Sequence, residues 1–481
     1  MRLQTILQQV DVISISGPLD REVTAVSEDS RVVGAGGLFV AIRGEVVDGH
    51  KFTSLVKCEV VVGEQASEVM DGVTFVLVPC SRTALAQIAS NLYGDPSSKI
   101  SVVGLTGTNG KTTTSWILEA ILVEAGNRVG IVGTTGNRIA GVELETVYTT
   151  PPAPIWQRLL SDMLTARCDS VVAEVSSIAL STKRVAATQF SVGVFTNLSR
   201  DHLDFHGTFE SYIESKSLLF SDLIKSDGHV VYNGLDPYAQ AIVGQRSDLN
   251  YWSFGIEVGD ISPTTLMMDA DGVRGEISTP NGDVRLSSSL VGRHNVENSL
   301  AAIGAALALG VDIPAIEAGL SSLPGVPGRV ERVDNEMGIS IFVDYAHTPD
   351  AILSVGGVLR ELTNGRLILV FGCGGDRDAG KRPEMARSAC AVAELVIATT
   401  DNPRSESPEA ILEQVRVGLQ SDSLVIVDRR EAIETAIRSA NKGDVVLIAG
   451  KGHETTQEVE GVRHHFDDRE VARLVLKEFV I

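Results

Sequence analysis

The stretch Gly104-Leu105-Thr106-Gly107-Thr108-Asn109-Gly110-Lys111-Thr112-Thr113-Thr114 follows the β-branched pair Val102-Val103 and precedes apolar positions Trp116, Ile117, Ala120 and Ile121 at helical spacing. Strand, glycine-rich turn and helix in that order predict a phosphate-binding loop. Glycines let consecutive backbone N–H groups turn toward phosphate oxygens, and the helix N-terminus adds positive partial charge. Lys111 would reach the terminal phosphates, and the Thr112 hydroxyl would bind Mg²⁺. Gly107, Thr108, Asn109, Gly110 and Thr113 complete the predicted cradle. The strict G-x-x-x-x-G-K-[ST] spacing is not met, because Leu105 stands at the first glycine position; Gly107 takes that role at shorter spacing.

Other β-branched runs recur at Val171-Val172-Ala173-Glu174, Leu367-Ile368-Leu369-Val370-Phe371 and Val445-Val446-Leu447-Ile448-Ala449, separated by segments of helical periodicity. The alternation predicts an α/β fold with largely parallel sheets. A length of 481 residues suits about three domains of roughly 150 residues each. Proline and glycine punctuate the chain at Gly94-Asp95-Pro96-Ser97-Ser98 and at Leu323-Pro324-Gly325-Val326-Pro327-Gly328. The expected division is a small N-terminal α/β domain over 1–97, a central mononucleotide-binding domain over 98–327 and a C-terminal α/β domain over 328–481.

Forty-one Lys and Arg against 62 Asp and Glu leave a formal charge of −21. Such a balance argues against a broad nucleic-acid surface, which needs a concentrated basic face. The five cysteines are scattered without a CxxC pair, as suits a reducing compartment. Gln8, Gln9 and Asp11 interrupt the N-terminus before a secretory apolar region develops, and the apolar run at 300–311 falls short of the roughly 18 residues a bilayer needs. The expectation is a cytoplasmic monomer with no membrane span.

Glu174 ends one of the predicted strands, which puts a carboxylate at the sheet edge where open α/β folds bind ligands. Asn197-Leu198-Ser199-Arg200-Asp201-His202-Leu203-Asp204-Phe205-His206-Gly207 follows another strand, 192–195. Carboxylate, imidazole and phosphate oxygens together suit Mg²⁺ or Mn²⁺. In the next helix, Phe209, Tyr212, Ile213, Leu219 and Phe220 mark an apolar face, and Lys216 falls on it. Periodicity alone allows a lysine that snorkels to water. It also allows a buried, neutral amine, which captures CO₂ and becomes a carbamate, an extra carboxylate ligand.

Taken in order, these motifs resemble the Mur ligase family, ATP-dependent enzymes that form amide bonds in peptidoglycan precursors. The resemblance continues through Gly292-Arg293-His294-Asn295-Val296-Glu297-Asn298, Gly328-Arg329-Val330-Glu331, Asp344-Tyr345-Ala346-His347-Thr348-Pro349-Asp350, 372–383 and Gly450-Lys451-Gly452-His453-Glu454. It is nearest to the branch that adds the third peptide residue to UDP-MurNAc-L-Ala-D-Glu. The resemblance implies a Rossmann-like C-terminal domain for the amino acid, a central ATP domain and an N-terminal domain for the UDP moiety. By the same resemblance, Asp29-Ser30-Arg31 holds that moiety, with Ser30 in contact. Thr149, Thr150, Ser176, Thr182 and Arg184 meet the muramoyl dipeptide. Asn295 and Asn298 lie on the adenine side; Arg329, Asp344 and His347 meet ATP on closure. Lys216 stands where the family carries a carbamylated lysine (N6-carboxylysine). Thr112, Glu174, His202 and the Lys216 carbamate would then hold two Mg²⁺ ions. The chain departs from the family at Ile178-Ala179, where His-Gly is usual, and at Thr182, where Gln is frequent.

The tetrapeptide Asp401-Asn402-Pro403-Arg404 follows the strand 395–398. Read locally, it is a proline-containing turn with an exposed arginine. In the family it resembles the form that selects meso-2,6-diaminopimelate, with Arg377 on one acceptor carboxylate and Gly450 and Glu454 at the distal amino-acid group. Diaminopimelate is lysine with a second carboxylate, which a guanidinium grips bidentately. Three alternatives accompany this expectation. They are the lysine-adding ligase of the family, a folylpolyglutamate-synthase-like ligase, and a non-catalytic nucleotide-binding regulator that needs neither Glu174, His202 nor Lys216.

Overall fold

The computed structural model describes residues 1–44, 47–65, 72–144, 146–269 and 272–478. The chain folds as two compact units, one of Met1–Thr264, Glu276–Val284 and Glu297–Leu320, the other of Thr265–Gly275, Arg285–Val296 and Ser321–Ile481. Both are α/β. A three-stranded sheet of Ser262–Asp269, Gly272–Ser278 and Val284–Ser288, which the β-branched runs did not signal, interrupts the alternation. No described helix is long and apolar enough to cross a membrane.

The first unit carries two sheets. Near the N-terminus, five strands run in the order Ser14–Ser16, Thr74–Leu77, Val60–Gly63, Gly37–Val40, Ala25–Ser27, all parallel except the first. The larger sheet has eight strands, and its middle is Phe190–Phe195, Ser101–Thr106, Ser170–Glu174 and Val129–Val132, all parallel. Val102, Val171 and Ala173 pack with Trp156, Met163 and Phe190 on one face, while Val103 and Val172 are equally buried on the other. A parallel strand covered on both faces reads as a continuous apolar run, which is why these strands were visible in sequence. The chain leaves Ser101–Thr106 toward Val129–Val132 on one side and later returns to Phe190–Phe195 on the other. In open α/β sheets ligands bind at such a reversal, beyond the C-terminal ends of the strands, and the phosphate loop and Glu174 both stand at that edge.

The second unit is built on six strands, Glu331–Val333, Ser340–Asp344, Val445–Ala449, Leu367–Cys373, Leu395–Thr400 and Leu424–Val425, parallel apart from the first. Alternation sorts its two faces: Leu369 and Phe371 join one apolar cluster, Ile368 and Val370 the other. Beneath the strand ends lies a fully buried ion pair, Arg429 with Asp468, at 2.6 Å. Arg429 also donates to Ala449 O at 3.0 Å and Thr400 O at 3.3 Å, tying two strand termini together. Arg429→Met, which strands a buried carboxylate, should cost about 3–5 kcal/mol in urea unfolding. Arg429→Met with Asp468→Leu should recover most of that loss.

Candidate active site

The strand Ser101–Thr106 delivers residues 107–110 to the N-terminus of the helix Lys111–Glu124. Gly107 and Gly110 have φ of 150° and 87°, backbone that L side chains rarely adopt. A Cβ on Gly107 would collide with Thr196 Oγ1, and one on Gly110 with Asn298 Oδ1. The loop is braced by its neighbours: Asn197 O accepts from Thr108 N at 2.8 Å, and Asn197 Oδ1 from Asn109 N at 2.9 Å. Thr113 is buried in the helix's first turn, and the Thr108 hydroxyl lies 3.0 Å from the Tyr212 hydroxyl.

Glu174 is buried and takes three hydrogen bonds, from Thr112 Oγ1 at 3.0 Å, Thr134 Oγ1 at 3.0 Å and Thr134 N at 2.9 Å. Thr134 was missed in sequence, although Gly133-Thr134-Thr135 follows the strand Val129–Val132 at the same edge. Its hydroxyl also lies 3.0 Å from the Thr149 hydroxyl, linking Glu174 to a predicted dipeptide contact. Thr150 Oγ1 donates to Glu174 O at 2.7 Å, and Arg184 donates to Thr150 O at 2.8 Å. Arg184 also covers the Tyr148 ring, 5.5 Å from its centroid. Ser176 caps a short helix through Ala179 N, while Thr182 donates back to Ile178 O of that helix at 2.6 Å. At the N-terminal sheet, Arg31 grips Asp29 through two side-chain hydrogen bonds, holding that carboxyl down at about 2, and Ser30 sits half-buried between them.

Lys216 does not snorkel. Its helix ends at Leu218 and passes into a wide π turn over Leu219–Leu223, so Leu219 and Phe220 are not on the helix as their spacing suggested. The side chain is 1% exposed, with its ammonium 4.5 Å from the Tyr212 ring centroid and 2.9 Å from Gly107 O. Lys111 donates to the same carbonyl at 2.7 Å and to Thr108 O at 2.8 Å. Burial, then the nearby Lys111 charge, push the Lys216 amine well below the usual lysine range, with Asp201 opposing. His202 is 47% exposed, its φ is 52°, and its Nε2 is 3.5 Å from Asp201 Oδ2. Among the described residues, no three His, Cys, Asp or Glu side chains converge as a metal site. Asn298 lies buried behind the loop, 3.5 Å from Thr114 Oγ1.

In the second unit, Asn295 is buried and donates to Val291 O at 2.8 Å. Asp344 ends a strand, accepts from Val330 N at 2.7 Å and has its carboxyl pushed up by burial against the lowering pull of Arg329. The His347 and Tyr345 ring centroids are 4.7 Å apart, and the Arg329 guanidinium lies over the same Tyr345 ring, 5.0 Å from its centroid. Arg404 is half-buried, not exposed as the turn alone suggests, and donates to Gly375 O at 2.6 Å. Its φ is 51°, fixed by Arg404 N to Glu458 O at 3.0 Å and Glu460 N to Arg404 O at 2.7 Å. Those partners belong to the hairpin Thr456–Val459 and Val462–His465. Pro403 is buried, Arg377 exposed, and a Cβ on Gly450 would lie 3.0 Å from Asp401 Oδ2. Asn402 donates to Glu454 Oε2 at 2.8 Å, and the fully buried Lys451 donates to the same oxygen at 3.0 Å. Lys451 too carries no local sign of this role, although it stands within Gly450-Lys451-Gly452.

His453 Nδ1 is buried without a hydrogen bond among the described residues, and burial, aided by Arg329 and Arg469, holds the imidazole down to about 4. The unfolded chain therefore binds the proton more tightly, so this residue destabilises the fold as pH falls from about 6.5 toward 4. The loss of urea midpoint across that window should be shallower in His453→Gln than in the unmodified protein.

A family model described as the Mur ligase middle domain matches residues 105–306, and one described as the Mur ligase, glutamate ligase domain matches 328–452. The chain is 40% identical over 505 residues to the UDP-N-acetylmuramoyl-L-alanyl-D-glutamate--2,6-diaminopimelate ligase of Geobacter metallireducens, covering 99% of each chain. It is 43% identical over 486 residues to the enzyme of the same name from Gloeobacter violaceus, covering 99% of this chain and 98% of the other. A solved structure bearing that name superposes with a TM-score of 0.73 at 33% identity, over 100% of this chain and 99% of the other. The phosphate loop, the Glu174 and Lys216 cluster beside it, and full-length similarity on this scale lead to one assignment: the chain belongs to the Mur ligase family.

Proposed function

We propose that the protein is an ATP-dependent ligase that joins meso-2,6-diaminopimelate to the D-glutamyl γ-carboxylate of UDP-MurNAc-L-Ala-D-Glu. The observation that carries the ligase chemistry is the meeting of Lys111, Thr112, Glu174 and Lys216 around one glycine-rich loop. A carboxylate is a poor acylating agent, so it must first be activated. The γ-carboxylate oxygen attacks the γ-phosphorus of ATP, the bond to the bridging oxygen breaks, and ADP leaves. The acceptor amine, having lost its proton, attacks the acyl carbon; the tetrahedral intermediate expels phosphate. Lys111 neutralises charge on the transferred group, and loop N–H groups orient it.

Glu174 and Thr112 offer hard oxygen donors 3.0 Å apart, a donor set that fits Mg²⁺. Lys216 fits only as its carbamate, and the depressed basicity of the buried amine supports that modification: neutral nitrogen attacks CO₂, a C–N bond forms and a proton leaves. With His202, these groups would hold two Mg²⁺ ions. When bound, the metal supplies positive charge against the phosphate oxygens. The acceptor groups are those of the second unit, Arg377, Asp401, Asn402, Arg404, Gly450 and Glu454, and the half-buried Arg404 supports a carboxylate-bearing acceptor. A cytoplasmic monomer divided at 97 and 327 remains part of this reading.

Lys216→Ala should abolish phosphate release while circular dichroism stays unchanged, and short-chain carboxylates should restore part of it; near-normal turnover would remove the ligand role. L-Lysine leaves Arg404 without its carboxylate. Diaminopimelate should therefore be preferred in kcat/KM by roughly 30-fold to several thousand-fold. Arg404→Ala should erase that preference with little change in the KM for ATP. Equal use of both amino acids by the unmodified enzyme would overturn the acceptor assignment and leave the ligase chemistry standing. A pterin substrate screen separates the folylpolyglutamate alternative.

A further inference from the structure

Lysine is among the residue types that are almost never fully buried without partners, and Lys451 is fully buried. Its ammonium donates to Asn402 Oδ1 at 3.2 Å and Glu454 Oε2 at 3.0 Å, and lies 3.7 Å from Asp401 Oδ1. That Asp401 oxygen is buried and, among the described residues, takes no hydrogen bond. Asn402 Nδ2 closes the triangle on the same Glu454 oxygen at 2.8 Å. Among the described residues, every polar contact of this ammonium thus ends on a residue assigned above to the acceptor.

We propose that Lys451 is the positioning residue that sets acceptor specificity, a role that rests on the acceptor reading above and deepens it. Two consequences follow from its contacts. First, Lys451 and Asn402 together occupy Glu454 Oε2, which fixes the carboxylate plane and presents Oε1 to an ammonium. Second, its single charge stands against two carboxylates, Asp401 at 3.7 Å and Glu454 at 3.0 Å, and offsets one of them. One carboxylate charge is then left for the ammonium at the far end of diaminopimelate, while Arg404 faces the carboxylate there. Without Lys451 both neighbouring carboxylates stand uncompensated, which favours the bare cation of L-lysine. Arg429 supports the arrangement from below through Thr400 O and Ala449 O, the carbonyls that precede Asp401 and Gly450.

The test is steady-state kinetics of the full-length enzyme carrying Lys451→Met, with Arg404→Ala measured beside it. Lys451→Met should raise the KM for diaminopimelate about 30-fold or more. The KM values for ATP and UDP-MurNAc-L-Ala-D-Glu should stay within about twofold, and the diaminopimelate-to-lysine preference should fall. A uniform loss across all three substrates, or an unchanged amino-acid preference, would mean that Lys451 is only structural. If Arg404→Ala alone shifts the preference, the acceptor reading stands and the Lys451 role fails. If neither variant moves diaminopimelate KM, both fall together. Should Lys451→Met not fold, Lys451→Met with Glu454→Gln removes the stranded charge. It should then bind diaminopimelate as weakly as Glu454→Gln alone, because the lysine acts through that carboxylate; a further loss would overturn the proposal.

Discussion

A carboxylate taken out of water must be given donors, and Glu174 finds all of its donors on neighbouring elements. One is the Thr112 hydroxyl in the first turn after the phosphate loop; two come from Thr134, beyond the adjacent strand. Its own carbonyl then accepts from Thr150. A single residue therefore fixes the spacing of the loop, the next strand end and the segment that bears Thr149 and Thr150. The order follows from the sheet: parallel strands bring several C-terminal ends to one edge, and a buried anion there makes those ends mutually dependent.

Around this anchor the unit concentrates positive charge. Lys111 and Lys216 converge on Gly107 O. Burial first, and then repulsion between the two ammonium groups on one carbonyl, make Lys216 easier to deprotonate. The basicity of Lys216 is thus set by its burial beneath Tyr212 and the loop, with the Lys111 charge adding to it. The second unit repeats the principle with the signs arranged differently: Arg429 and Lys451, both buried, hold carboxylates and carbonyls at the ends of the strands Leu395–Thr400 and Val445–Ala449.

How much of this was legible depends on what each signal measures. Strands buried on both faces announce themselves as unbroken apolar runs, so the sheets and the loop between strand and helix could be read directly. The three-stranded sheet at 262–288 carries exposed positions such as Met267 and Met268 and gave no such run. Periodicity placed Lys216 on an apolar face but carries no information about depth; burial required Tyr212 and the loop to close over it. The π turn after Leu218 was hidden because its residues are as apolar as the helix before it. Thr134 and Lys451 escaped because a threonine after a glycine and a lysine between glycines are ordinary in loops. Their meaning comes only from the carboxylates across from them. Arg404 misled in the same way, since its partner Gly375 is distant in sequence.

The backbone of Arg404 is paired with the hairpin at 456–465, through Glu458 and Glu460, while Gly450, Lys451 and Glu454 precede that hairpin. Strand pairing alternates sides with each residue, so a one-residue slip would redirect what it carries. The guanidinium is consequently mounted on an element that holds no part of the nucleotide cradle. Under the proposed acceptor reading, acceptor choice and phosphate chemistry are separable traits: drift in a partly exposed ribbon would retune the first and leave the second untouched, a modularity by which one ligase scaffold could diversify its products without relearning its catalysis.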